Sequence, residues 1–137
     1  MDKYSTFAYR NLGLAYLQQG KLESATGAFC KAVTFSSGGL AFESYLGFAY
    51  AVAGKQAEAM EVLANLQEIA KERYVSAYNF AMIHTGLGEI DNAIEWLEKA
   101  FEERSGFLPF LKVEPMLDPL RADSRFQNLL WRIGFPQ

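Results

Sequence analysis

Hydrophobic and polar positions in this chain follow a long period in addition to a helical one. Residues 11–16, closed by Gly20, return 34 residues later as residues 45–50 and again, in a more divergent form, as residues 79–84. Each copy precedes a second stretch with alanines and large apolar residues at helical spacing. A fixed period of this length is typical of stacked supersecondary units, because no single unit buries its own apolar face.

The apolar spacing predicts six helices, arranged as three antiparallel hairpins. The first helices are predicted over residues 5–19, 40–53 and 75–87, and the second helices over 21–36, 56–72 and 90–104. Gly20, Gly54 and Gly88 stand between the two helices of each pair, and glycine reaches the left-handed conformation that ends a helix. Residues 36–39 form a clear break between the first two hairpins.

Small residues recur where the two helices of a hairpin are expected to cross. We predict that small residues on the first helices face alanines on the second, namely Gly13, Gly47 and Ala81 against Ala25, Ala59 and Ala93. Side chains of this size allow close backbone approach, so larger residues there would overpack the crossing.

These residue types at this spacing resemble tetratricopeptide repeats. The first repeat carries nearly the full signature: Tyr9, Leu12, Gly13, Tyr16, Gly20, Ala25, Phe29 and Ala32. The second departs at Leu63 and Leu66, the third has Ala81 and His84, and the proline that often closes a repeat is missing from all three. Covering roughly residues 4–105, the resemblance implies an all-α right-handed superhelix of three helix-turn-helix hairpins, at about 6–39, 40–73 and 74–105.

Residues 106–137 leave the period and are predicted to form a C-terminal capping segment and helix over the third hairpin. Residues 107–113 are a short apolar segment, residues 114–120 are predicted as turns, and Asp123 or Ser124 is predicted to cap a final helix stopped by Gly134 and Pro136.

The run from Asp118 to Phe126 resembles the endings of repeat arrays in many bacterial multidomain regulators. In those proteins the array is joined to a kinase, a cyclase or a winged-helix DNA-binding domain. The resemblance implies a bacterial protein whose natural end is Gln137 and whose start was cut at Met1.

Composition narrows the partner classes. The net charge is −3 without a basic stripe, which argues against direct binding of nucleic acid. No apolar run reaches the length of a membrane span and residues 1–6 lack an export signal, so we expect neither a membrane partner nor secretion. A single cysteine, Cys30, fits a reducing compartment, and a cytoplasmic location is expected.

Catalytic chemistry has few candidate residues, and we predict that the chain is not an enzyme and holds no metal or cofactor. His84 is the only histidine and is predicted to be a hydrogen-bonded, partly buried residue between helices. Cys30 is predicted to be a small packing residue beside Phe29. Neither metal-ligand spacing nor a glycine-rich phosphate loop is present in the sequence.

The resemblance implies a protein-interaction module whose partner, a protein or peptide, binds a concave groove lined by the first helices. By position, the groove residues are Phe7, Arg10, Asn11, Leu14, Leu17, Ser44, Tyr45, Phe48, Val52, Val75, Tyr78, Asn79, Met82 and Thr85. Family members that bind a terminal carboxylate use Lys, Asn and Arg in such a groove. Here Leu14, Tyr45 and Met82 occupy such positions, which favours an apolar or helical ligand.

Two alternatives remain open at this point. The C-terminal segment could fold back into the groove, which would make the apolar stripe part of the core. The array could also be a self-association or intramolecular docking domain of a larger bacterial regulatory protein, for example a homodimer through the uncapped first repeat around Tyr4 and Phe7.

Overall fold

The chain is all helical in the part described by its computed structural model, which comprises residues 3–36, 40–103, 111–112 and 114–134, without the side chains of residues 3 and 4. The elements in order are α1 (Lys3–Gln18), α2 (Leu22–Phe35), α3 (Leu40–Val52), α4 (Gln56–Ala70), α5 (Ala77–Gly86), α6 (Ile90–Glu102), a 3₁₀ helix (Pro115–Leu120) and α7 (Ser124–Gly134). Most of the predicted break at 36–39, most of the apolar segment 107–113, the side chain of Tyr4 and Pro136 lie outside the described residues.

The three hairpins share one turn geometry. Gly20, Gly54 and Gly88 have φ angles of 75°, 81° and 78°, in the left-handed region. In the first turn, Lys21 N donates to Tyr16 O at 2.9 Å and Gly20 N donates to Leu17 O at 3.1 Å. The same pair of bonds recurs in the other two turns. This is the Schellman arrangement, which satisfies carbonyls at a helix end, and it confirms the predicted all-α array of three hairpins.

The first helix of the second hairpin, α3, packs against both neighbouring hairpins. α3 packs against α2 of the preceding hairpin and α5 of the following one, as well as against its own partner α4. Ala25, Ala59 and Ala93 are fully buried in the second helices.

The partners of two helix glycines differ from those predicted. A Cβ atom on Gly13 would lie 2.5 Å from the Phe29 ring, and one on Gly47 would lie 2.7 Å from Ile83 Cδ1 of the next hairpin. The nearest neighbours are thus large side chains, and not the predicted alanines, because the space left by each missing Cβ is filled by a side chain from a neighbouring helix. Gly47 therefore sets the distance between two hairpins as well as within one.

The C-terminal segment contributes its own buried apolar residues. The fully buried ones are Leu111, Leu117, Leu120, Phe126 and Leu129. The 3₁₀ helix packs against α5 and α6, and α7 packs against α6. The segment therefore continues the hydrophobic core beyond the third hairpin.

Capping interactions fix where two helices begin. The carboxylate of Asp123 accepts a hydrogen bond from the backbone N–H of Arg125 at 2.8 Å, so Asp123 caps α7. Arg125 in turn donates to Asp91 at the start of α6, at 2.8 Å, which ties the two helices together. The hydroxyl of Ser76 accepts from Tyr78 N at the start of α5, a cap that lies inside the predicted helix range of 75–87.

Candidate functional site

The first helices of repeats 1 and 2 touch at their N-terminal ends. The ring of Phe7 on α1 meets the ring of Phe42 on α3 edge to face, with centroids 6.0 Å apart. The Arg10 guanidinium lies over the Phe7 ring, with its carbon 5.2 Å from the ring centroid. This aromatic contact joins the N-terminal halves of α1 and α3.

A cleft of about 680 Å³ lies at the other end of α1 and α3. Its walls come from α1, the start of α2, the end of α3 and the C-terminal segment. The lining residues are Leu14, Leu17, Gln18, Leu22, Phe48, Val52, Glu114, Pro115, Met116, Asp118 and Pro119. The cleft is mostly apolar, and its volume is in the range of pockets that hold small ligands or a few side chains.

Groove positions predicted in the third repeat are covered by the chain itself. Val75, Tyr78, Asn79, Met82 and Thr85 are all buried, and Met82 is only 2% exposed. The 3₁₀ helix packs on α5, the helix that carries four of these five residues. It brings the apolar side chains of the Pro115–Leu120 segment to this part of the molecule, so this third of the predicted groove is filled core, as the fold-back alternative expects.

Predicted positions in the first two repeats differ among themselves. Ser44 is buried and Phe48 is 7% exposed, while Tyr45 is half-buried and stacks on Phe29 with ring centroids 5.6 Å apart. Val52 is 39% exposed at the end of α3. In the first repeat, Phe7 and Asn11 are exposed, and Arg10, Leu14 and Leu17 are half-buried.

The cleft therefore combines a minority of the predicted residues with others that the repeat pattern does not mark. Leu14, Leu17, Phe48 and Val52 line it, as predicted for the groove. The repeat signature carries no information on the opposite wall, which comes from residues 114–119. The prolines and carboxylates of that segment were visible in the sequence, but their position against α1 and α3 was not.

Several of the predicted groove positions carry buried or half-buried polar groups. Burial, followed by the negative charge of Glu114, raises the pKa of Tyr45 and also that of Tyr78. Arg10 opposes the shift at Tyr45. Among the described residues, Asn79 Oδ1 and Arg10 Nε are buried without a hydrogen-bond partner. Tyr78 and Asn79 lie in the filled part of the predicted groove, whereas Tyr45 and Arg10 belong to repeats 2 and 1 and are half-buried.

Arg121 holds in place the segment that covers α5, which comprises residue 111 and residues 114–120 among those described. Arg121 Nε donates to Asp118 Oδ1 at 2.8 Å, Nη1 donates to Leu111 O at 3.1 Å, and Nη2 donates to Glu114 O at 2.6 Å. The guanidinium also lies 5.6 Å from the centroid of the Phe126 ring. Arg121 thus connects the chain before the 3₁₀ helix to the end of that helix and to α7.

The residues considered for catalysis have structural partners. His84 is half-buried, shares a 2.6 Å hydrogen bond with Glu89 through Nδ1, and stacks near Trp96. The Cys30 thiol lies 3.4 Å from the Tyr50 hydroxyl, and this hydrogen bond, with burial second, raises the pKa of Tyr50 to about 12. Among the described residues, no group of three or more His, Cys, Asp or Glu side chains could hold a metal ion. None of the helices in the described ranges has the length and apolar character of a membrane span.

Fold and repeat geometry define a helical-hairpin repeat protein. A family model for the tetratricopeptide repeat matches residues 8–37 and again residues 74–106. The chain therefore contains a tetratricopeptide repeat domain, and repeats of this family are protein–protein interaction modules as a class. The two matched ranges correspond to the first and third hairpins, and the second hairpin carries the same 34-residue spacing and the same turn. Comparison with curated proteins and with solved structures gave no significant match.

Proposed function

We propose that this chain binds a short segment of a partner protein in the cleft between α1, α3 and residues 114–119, and that it performs no catalysis itself. The observation that carries the proposal is the cleft of about 680 Å³, whose walls are largely leucine, valine, phenylalanine, methionine and proline. Apolar surface left open beside a filled core is typical of interaction sites.

The proposed site is narrower than the groove predicted from the repeat pattern. Only the parts of the groove contributed by repeats 1 and 2 remain accessible, because the C-terminal segment covers α5. The partner segment in this proposal is therefore short, one or two turns of helix or a few extended residues, with apolar side chains entering the cleft.

Panning a random peptide display library against the purified chain tests the proposal. Hits are retested on Val52→Asn, which makes one wall of the cleft polar at a residue that is 39% exposed. Met60→Asn on α4 is the matched control, because Met60 is 47% exposed and does not line the cleft. Phe48 is unsuitable for this test, because it is buried and its substitution by a polar residue would disrupt the core.

We expect Val52→Asn to weaken peptide binding at least about fivefold, since truncation of a residue that anchors an interface commonly costs 1 kcal/mol or more. Met60→Asn should bind like the parent chain. A folded chain that enriches no peptide, or hits that bind equally well to both variants, would contradict the proposal. Circular dichroism on each variant establishes that the helices are intact.

Self-association is the second candidate. Phe7 and Leu12 are large apolar residues exposed on α1, in the first hairpin. Light scattering over a wide concentration range, repeated on Leu12→Asn, tests whether this helix pairs two copies. If the chain is a monomer at high concentration, self-association is excluded, and the proposal that the cleft binds a peptide still stands.

A further inference from the structure

The charged side chains that line the cleft all have the same sign. Among the lining residues that the structure describes, the charged ones are Glu114 and Asp118, and both are acidic. Glu114 is half-buried, and no lysine or arginine of the described chain forms an ion pair with it. Its carboxylate lies close enough to Tyr45 and Tyr78 to act on both phenols electrostatically.

Helix ends contribute little net charge to the cleft. Gln18 and Val52 are the last residues of α1 and α3, and Leu22 is the first residue of α2; all three line the cleft. The Schellman turns pair carbonyl groups at the ends of α1 and α3, and the N-terminal end of α2 carries a partial positive charge. The acidic character of the rim therefore rests on Glu114 and Asp118.

Two cations near the cleft, Lys55 and Arg121, form ion pairs, and a third, Lys21, directly precedes the lining residue Leu22. Lys55, which follows the α3 turn, pairs with Glu23 at 2.9 Å. Arg121 pairs with Asp118 and donates to two backbone carbonyls, so it offsets part of the charge of Asp118, whereas no cation in the described ranges forms an ion pair with the carboxylate of Glu114. The apolar floor and the acidic rim are then complementary to a ligand that has both apolar and cationic groups.

Resting on the proposed function, we infer that the partner segment is cationic as well as apolar: its aliphatic or aromatic side chains enter the cleft between Leu14 and Val52, and an adjacent lysine or arginine lies against Glu114. A preference for a cationic segment is the opposite of the preference shown by a groove that binds an acidic terminal segment. The terminal carboxylate of a partner would face the carboxylate of Glu114, which disfavours it.

Three labelled dodecapeptides test this inference by fluorescence anisotropy. Each has two leucines four positions apart, and the flanking residues are lysine in one, glutamine in the second and glutamate in the third. We expect the lysine peptide to bind tightest and the glutamate peptide weakest, with about a tenfold difference at low salt. That difference should largely disappear at about 0.5 M salt, because screening weakens exposed charge pairs.

A charge-matched pair of variants identifies the group responsible. Glu114→Gln removes the charge but keeps an oxygen that can accept from Met116 N, as Glu114 Oε2 does at 3.3 Å. It should reduce the preference for the lysine peptide about threefold. Glu72→Gln makes the same change in net charge on an exposed residue that does not line the cleft, and it should leave the preference unchanged.

The possible failures are distinguishable. Glutamine or glutamate peptides that bind as tightly as the lysine peptide, and that lose binding in Val52→Asn, would overturn the charge preference and leave the proposed function standing. Absence of binding by all three peptides, together with no library hit sensitive to Val52→Asn, would overturn both. Dimerisation that Val52→Asn abolishes would assign the cleft to a second copy and overturn the cationic partner.

Discussion

Arg121 donates a 2.6 Å hydrogen bond from Nη2 to the main-chain oxygen of Glu114, seven residues earlier in the chain. A guanidinium can donate in several directions at once from a rigid plane, and Arg121 uses this capacity to hold both ends of the covering segment. The Asp118–Phe126 run therefore has a physical role: Asp118 positions Arg121, Arg121 fixes the segment, and Asp123 starts the helix that follows.

Arg121→Lys should destabilise the protein by roughly 1–3 kcal/mol, because an ammonium cannot reproduce the three-way hydrogen bonding and carbonyl groups are left unpaired. Arg132→Lys is the control, since Arg132 makes a surface ion pair with Glu98 and the change should cost at most about 1 kcal/mol. Urea unfolding of both variants measures the difference. Equal midpoints would show that Arg121 does not hold the segment.

Methionine oxidation should report the covered part of the groove directly. Met60 is 47% exposed and Met82 is 2% exposed, so brief peroxide treatment of the native protein should convert Met60 to the sulfoxide and leave Met82 intact. Peptide mass spectrometry gives both values from one sample. Arg121→Lys should accelerate oxidation of Met82 relative to Met60. Rapid oxidation of Met82 in the parent protein would mean that the C-terminal segment leaves α5 open in solution.

Substitution by alanine should lower the free energy of unfolding at Gly47 and raise it at Gly27. Gly47→Ala places a Cβ at 2.7 Å from Ile83 and should cost roughly 1–3 kcal/mol through overpacking. Gly27→Ala meets nothing within 4 Å on α2 and should stabilise by roughly 0.5–1 kcal/mol through helix propensity. Thermal unfolding of the two variants beside the parent compares them. A stable Gly47→Ala variant would contradict the close approach of α3 and α5.

The ionised carboxylate of Asp123 should stabilise the fold near neutral pH and lose this effect in acid. Its side-chain hydrogen bond with Arg125, followed by the backbone bond to the same residue, lowers the pKa of Asp123 from 3.8 to about 2. Because the folded form holds the carboxylate ionised, this contribution is present above pH 4 and is lost as the pH falls towards 2.

Asp123→Asn keeps a capping oxygen but removes the titrating group, so the variant should lose less stability than the parent between pH 4.5 and pH 2.5. Urea midpoints at the two pH values provide the comparison. An identical loss in parent and variant would show that this carboxylate is not linked to folding. Other carboxylates titrate in both proteins and cancel in the difference.

The sequence predicts features that repeat, and it does not predict contacts that occur once. The turns at Gly20, Gly54 and Gly88 were predictable because each uses the same local chemistry, independent of what packs around it. The burial of Met82 was not, because it depends on where a non-repeating segment docks. Likewise, Gly47 faces Ile83 because of the spacing between hairpins, which a pattern along one chain does not encode.

For the cleft, only the wall contributed by α1 and α3 could be predicted from local sequence. Leu14, Phe48 and Val52 follow from their helix positions, whereas Glu114 and Pro119 lie opposite them only because Arg121 bends the segment back. A bend held by one side chain has no periodic signature. Its elements are two prolines followed by an arginine between two aspartates, and they could be recognised in the sequence, but the helix on which the segment packs could not.

The three hairpin turns require a left-handed backbone conformation, but they leave room for a side chain. Gly20, Gly54 and Gly88 all have φ near +78°, and a Cβ atom built on any of them meets nothing within 4 Å. A residue of D configuration prefers this backbone region, so D-alanine introduced by chemical ligation would fit all three turns, while L-alanine would be strained in each. Because D-alanine also restricts the unfolded chain, mirror-image residues at intervals of 34 would strengthen the array without changing any residue that lines the cleft.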